Sequence, residues 1–203
     1  MSVDAQHENL EIRIRTYLEA RENNRAAQVA IELFGAEILG WLCGVFQDDS
    51  LASTIYDAFR TDLPRELWAF DGHCPFRPWT YGVARKAAFR NLRSPSKQDL
   101  PLGASVAPTR DRALQDTSTW LKTQLSASAF SRLRDRLTPE ERMLLILRVD
   151  RQMTWEEVAR VMENPSSPAT LRECAGRLRR YFHRVRDRLR QLAVEEGLIE
   201  RTG

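Results

Sequence analysis

Apolar residues recur along this chain at three- and four-residue steps, and nowhere in strict alternation. That periodicity predicts helices and no strand, so the expected fold class is all-α. Val29, Leu33, Phe34, Ile38, Trp41, Leu42, Val45 and Phe46 form one face of a long helix that Gln47-Asp48-Asp49-Ser50 ends. A second helix is expected from Leu51 to about Trp68, burying Ile55, Phe59 and Leu67, with Pro64 interrupting it. Residues 70–79, FDGHCPFRPW, hold a glycine and two prolines and read as a loop. A basic helix over 80–93 follows, with Val83, Ala84 and Ala87 turned inward. Within the first 25 residues one amphipathic helix through Ile12, Ile14, Tyr17 and Leu18 is expected.

The second half carries clearer helix starts. Thr138-Pro139-Glu140-Glu141 sets a Thr N-cap, a Pro at the first helical position and a Glu three residues after the cap. The apolar RMLLILRV that follows predicts a buried helix. Thr154-Trp155-Glu156-Glu157 repeats the capping pattern, after which Trp155, Val158, Ala159 and Met162 share a face. Ser167-Pro168 opens a third helix whose stripe is Leu171, Cys174, Leu178, Phe182, Val185, Leu189 and Leu192, with arginines between the stripe positions. A short middle helix and a long basic last one make a helix-turn-helix module, or an ordinary three-helix bundle.

One segment breaks the pattern. SPSKQDLPLGASVAPTR, residues 94–110, has three prolines, four Ser or Thr and a glycine, and reads as an extended linker. The expected organisation is an N-terminal extension over 1–25, a helical domain over 26–93, a linker over 94–112, a second helical domain over 113–195 and a tail over 196–203. Each domain is long enough to hold a small core.

Composition narrows the function. The chain has 203 residues, of which 42% are hydrophobic and 29% charged. Such a composition sustains a core and excludes a fully disordered chain. No apolar run of the roughly 18 residues that a membrane helix needs is evident. The start, MSVDAQHENL, lacks the basic-then-apolar layout of a secretory signal. Cys43, Cys74 and Cys174 lie far apart, which argues against a disulfide framework or structural zinc and fits a reducing cytoplasm. A cytoplasmic protein with no metal, no cofactor and no membrane partner is expected. His73-Cys74 sit together, but no third ligand or catalytic partner lies near them in sequence, so no enzyme is expected.

The net charge of +3 conceals an asymmetry. Residues 1–60 carry ten acids and five bases, and the rest of the chain is basic. Between Pro168 and Leu192 stand eight arginines against Glu173 and Asp187. A one-sided basic segment fits an anionic partner such as nucleic acid, or a solvated helix face.

Two stretches resemble a known family. LTPEERMLLILRVDRQMTWEEVARVM, residues 137–162, is similar to the start of region 4 of bacterial RNA polymerase sigma factors. FDGHCPFRPWTYGVARKAAFRNLR, residues 70–93, resembles the second half of region 2 in their extracytoplasmic-function (ECF) group, through Phe70, Phe76, Trp79, Val83-Ala84-Arg85 and Leu92-Arg93. The order of the two stretches, the linker between them and the length also agree. The resemblance implies two helical domains on a tether, one gripping the polymerase clamp and the −10 element, the other the polymerase flap and the −35 duplex. Partners would then be the core polymerase, through its beta and beta-prime subunits, and promoter DNA.

The implied sites can be named. For the −10 strand they are Phe70, Asp71, His73, Phe76, Arg77, Trp79, Arg85, Lys86, Arg90 and Arg93. Aromatic rings beside cations stack unpaired bases and hold their phosphates; Phe76 and Trp79 read equally well as core residues anchoring the loop. For the −35 duplex they are Ser166, Ser167, Thr170, Arg172, Glu173, Arg177 and Arg180. Arg172 and Arg177 would meet guanine edges or phosphates, while Arg180 and Arg184 would meet phosphates or solvent. The polymerase-binding set is Asp48, Asp49, Ser53, Thr54, Tyr56 and Asp57.

Three departures from the family pattern stand out. Lys86 and Arg90 replace the usual Asn and Asp. The segment 163–180 is longer than usual. On the polymerase-binding helix the usual carboxylates give way to Ser53 and Thr54. Either the neighbouring Asp48, Asp49 and Asp57 carry that contact, or Ser53 or Thr54 takes a phosphate from a Ser/Thr kinase and restores the negative charge. Control by an anti-sigma factor is the other expectation. The competing function is a free-standing helix-turn-helix transcription regulator that needs no polymerase.

Overall fold

The computed structural model describes residues 3–72, 74–93 and 127–199. Eight α-helices and no strand occur among them, as the periodicity predicts. These residues fall into two compact units, 3–43 with 48–93 and 127–199 with 44–47. The expected linker over 94–112 lies outside the described residues.

The first unit contains α1 (Val3–Glu19), α2 (Asn23–Phe46) as far as Cys43, α3 (Asp49–Glu66) with a 3-10 turn at Leu67–Ala69, and α4 (Phe76–Arg93). Arg21 ends α1 in the left-handed region, at φ 59°. There the Arg21 amide donates to Leu18 O at 3.1 Å and the Glu22 amide to Tyr17 O at 2.8 Å, which closes the helix end. Ile14 is buried on α1, whereas Ile12 is exposed, against expectation. Two residues apart on a helix point to opposite sides, so the pair cannot share one face.

On α2 the predicted Val29, Phe34, Ile38, Trp41 and Leu42 are buried. By length and composition α2 is also the one described helix able to cross a membrane, although Arg25, Glu32 and Glu37 interrupt its apolar sequence. Its apolar face is taken up inside the unit, with Trp41 meeting Tyr81 of α4 edge-on at 5.0 Å. Two prolines behave differently from expectation. Pro64, expected to interrupt the helix, lies inside α3, which ends two residues later at Glu66 and passes into the 3-10 turn. Pro78 lies in the first turn of α4, where a missing N–H costs nothing, so the helix starts at Phe76 and the predicted loop is shorter.

Helix α4 meets α3 through small side chains, with Val83, Ala84, Ala87 and Ala88 all buried. Asp62 pairs with Arg90 and Glu66 with Lys86, a register that runs the two helices antiparallel. Helices α2 and α3 approach closely at Gly35, where a Cβ would stand 2.4 Å from the Tyr56 hydroxyl oxygen.

The second unit contains α5 (Ala127–Asp135), α6 (Pro139–Leu145) running into a π-helical turn (Ile146–Asp150), α7 (Trp155–Glu163) and α8 (Pro168–Glu195). Both predicted capping boxes form, at Thr138 with Glu141 and at Thr154 with Glu157. A third, Ser167 with Thr170, starts α8. Every residue of the predicted α8 stripe is buried. Trp155 packs on Phe182 at 5.4 Å. Glu141 does double duty, accepting the Thr138 amide at 2.8 Å and pairing with Arg188 at 2.9 Å. Beneath these contacts Arg134 and Asp150 make a buried ion pair at 3.0 Å.

Two stability tests follow from the packing. Gly35→Ala destabilises the first unit by about 1–3 kcal/mol, and adding Tyr56→Phe, which removes the clashing oxygen, restores most of it in urea unfolding. Asp150→Asn strips the charge from a buried pair and lowers the stability of the second unit by about 3 kcal/mol, read from the same titration.

Candidate nucleic-acid interface

In the first unit the structure brings three of the sequence-predicted aromatics together. Phe70 lies 5.1 Å from Phe76 and 5.0 Å from Trp79, and Phe76 lies 5.6 Å from Trp79. Phe34 of α2 extends the cluster, 6.0 Å from Phe76. All three loop aromatics are half-buried. Phe76 thereby ties the start of α4 to α2, and each of the three rings keeps part of its surface exposed. Asp71 is exposed at the loop, and His73 lies outside the described residues.

The cations beside this cluster are less free than their sequence positions suggest. Arg77 turns to Glu37 of α2, its Nε donating at 3.1 Å and a terminal nitrogen donating to the same oxygen. Lys86 Nζ donates to Glu66 at 2.9 Å, and Arg90 pairs with Asp62. Arg85 lies with its guanidinium 4.5 Å from the centre of the Phe89 ring. Arg93 is exposed in the last turn of α4. Lys86 and Arg90 are thus the two cations of α4 that acids of α3 engage. In both pairs the cation is exposed and the acid half-buried, and surface pairs are worth only about 0–1 kcal/mol each.

In the second unit the predicted contact residues gather at the start of α8. Ser167 and Thr170 are held by each other: the Thr170 amide donates to Ser167 Oγ at 3.2 Å, the Ser167 amide to Thr170 Oγ1 at 3.1 Å, and the two hydroxyls lie 2.9 Å apart. Their hydroxyls are committed to capping. Ser166, Arg172, Glu173, Arg177, Arg180 and Arg184 are exposed, the last at 5.4 Å from the Tyr181 ring centre. Arg177 pairs with Glu163 at the end of α7 and donates to Cys174 Sγ at 3.5 Å. The Glu163 carboxylate pushes the Cys174 thiol above its ordinary range by hydrogen bonding, and burial adds to this. Asn164, at φ 49°, turns the chain from α7 towards α8.

The predicted polymerase-binding residues lie along the start of α3. Asp48 caps it, accepting the Leu51 amide at 2.9 Å. Asp49 and Asp57 are exposed, and Asp57 stands 3.8 Å from Arg60. Ser53 and Thr54 are half-buried, and Thr54 Oγ1 donates to Ser50 O at 2.9 Å. Tyr56 packs inward, near Phe59 at 5.9 Å and with its hydroxyl against Gly35. Burial pushes its phenol above the ordinary range, against the lowering effect of Arg60.

The acids Glu37, Asp62, Glu66 and Glu163 escape a reading by motif, because each meets its cation across 14 to 40 residues of chain. The chain matches no family model and no curated protein. Among the described residues no cluster of His, Cys, Asp and Glu has the makings of a metal site.

Asp62→Asn with Glu66→Gln unmasks Arg90 and Lys86. The double variant elutes from a heparin column at higher salt than Asp49→Asn with Asp57→Asn, which makes the same net charge change. Equal elution would show that the α3–α4 pairs mask nothing.

Proposed function

We propose that this chain is a promoter-specificity subunit of bacterial RNA polymerase, a sigma factor of the ECF group. The observation that carries the reading is a pairing within one chain. One unit presents a half-exposed aromatic cluster at the start of a cationic helix, and the other presents a capped short helix followed by a long arginine-bearing one. The first arrangement suits unstacked bases and their phosphates. The second suits a duplex groove, with the start of α8 at the base edges.

In this reading Phe70, Phe76 and Trp79 stack bases of the melted −10 strand, while Arg85, Lys86, Arg90 and Arg93 follow its backbone. Arg172 and Arg177 meet the −35 duplex; Ser167 and Thr170, being occupied as caps, position the helix instead. The start of α3 binds the clamp through Asp49 and Asp57. The protein makes no bonds itself. It lowers the cost of strand opening by holding the product of that opening.

Charge at Ser53 or Thr54 is the proposed control. A phosphate adds about −1.5 to −2 charge, next to the exposed acids that face the polymerase. A kinase needs its target hydroxyl free, and Thr54 in the helix is tied to Ser50, so modification goes with a local opening of the first turns of α3.

Mixing the purified chain with core polymerase and a promoter library, with and without kinase treatment, tests the reading. The expected result is a stable complex and transcripts that start downstream of a shared two-part sequence. Ser53→Ala with Thr54→Ala is expected to lower transcription in cells about tenfold or more. A chain that binds duplex DNA tightly but leaves core polymerase untouched is a free-standing regulator, and the proposal then fails.

A further inference from the structure

The first unit carries a cleft of about 470 Å³ away from the aromatic cluster and α4. The α1–α2 turn contributes Arg21 and Glu22, the start of α2 Asn23 and Arg25, and the end of α3 with its 3-10 turn Arg65 and Trp68. We propose that this cleft binds a nucleotide, with the base on Trp68 and the phosphate among Arg21, Arg65 and the start of α2. The inference goes beyond the promoter reading and holds with or without it.

Four observations carry it. Trp68 is 68% exposed, the most exposed large hydrophobic residue described. A wide aromatic face left in water at the edge of a cleft is a stacking surface. Three guanidiniums share the cleft with a single carboxylate, and that carboxylate, Glu22, is engaged by Arg25 at 2.8 Å. The remaining charge is positive, and guanidinium forks suit phosphate oxygens.

The third observation is Asn23. It lines the cleft and is nine-tenths buried, and its side-chain nitrogen has no hydrogen-bond partner. A buried donor without an acceptor is costly, and since this nitrogen has almost no exposed surface, a phosphate or base carbonyl oxygen in the cleft reaches it only once the side chain turns outward. Fourth, α2 begins at this wall with no acid in its first turn, so its N-terminal amides add positive potential. A cleft of this size exceeds what a lone phosphate needs and falls within the usual range for small-molecule sites, about 300–1,000 Å³.

A nucleotide reaches the cleft either free or as part of a single strand, and the test separates the two. The full chain is titrated calorimetrically with adenosine diphosphate, with a ten-nucleotide thymidine strand and with inorganic pyrophosphate. Trp68→Ala is expected to weaken nucleotide binding at least about tenfold, and Trp68→Phe to keep most of it. Arg21→Gly is expected to weaken it severalfold while leaving the melting temperature unchanged or higher, since glycine accepts the left-handed backbone at that position. Binding of adenosine diphosphate with this dependence identifies a free nucleotide; binding of the strand alone with the same dependence identifies a strand nucleotide. If neither binds, or if pyrophosphate binds as well as the diphosphate and Trp68→Ala changes nothing, the proposal is overturned.

Discussion

The first unit rests on how closely α4 approaches α3. Val83, Ala84, Ala87 and Ala88 give α4 a buried face of mostly small side chains beside the buried Tyr81, and Lys86 and Arg90 of the same helix reach Glu66 and Asp62 of α3. The same approach sets the end of the aromatic loop, because Phe76 and Trp79 belong to the first turn of α4 and can move only with it. Larger side chains at the alanines would push the helix outward, and the loop and the ion pairs would go together. Burial of small apolar groups thus positions the charged and aromatic surface, although it contributes nothing to that surface directly.

In the second unit the corresponding constraint is where helices begin. Three capping boxes fix the starts of α6, α7 and α8 within a residue, since each needs a hydroxyl and a partner three residues on. Glu141 links one of these starts to the middle of α8 through Arg188, so α6 and α8 share a carboxylate. An arginine counted as part of a basic segment is here a fastening. The same holds for Arg177, which Glu163 holds at the end of α7.

These cases mark what the sequence makes legible. The helix starts were readable because every partner lies within three residues, and the α8 stripe because its spacing admits one buried face. The all-α class followed from the same periodicity. Pro64 and Pro78 misled because proline reads as a break, while its effect depends on which turn of the helix it occupies. Ile12 misled because apolar character was counted ahead of angle. α5 was not separated in advance; its buried Phe130 and Leu133 form too short a pattern to stand out beside the linker. The candidate surface was half visible. Its aromatics and cations could be named, but their ion-pair partners and the cleft around Trp68 depend on chain segments that meet only in the fold. The cap roles of Ser167 and Thr170 lay in the sequence as a hydroxyl pair at the right spacing, but it departs from the Glu or Gln usually found there.

Glu163 also reaches into chemistry of another kind. Peroxide attacks the sulfur anion rather than the protonated sulfur, and the carboxylate beside Cys174, together with its burial, keeps that proton in place. The side chain that restrains Arg177 thus also favours the protonated, less nucleophilic thiol of Cys174, while Arg177 itself pulls the other way.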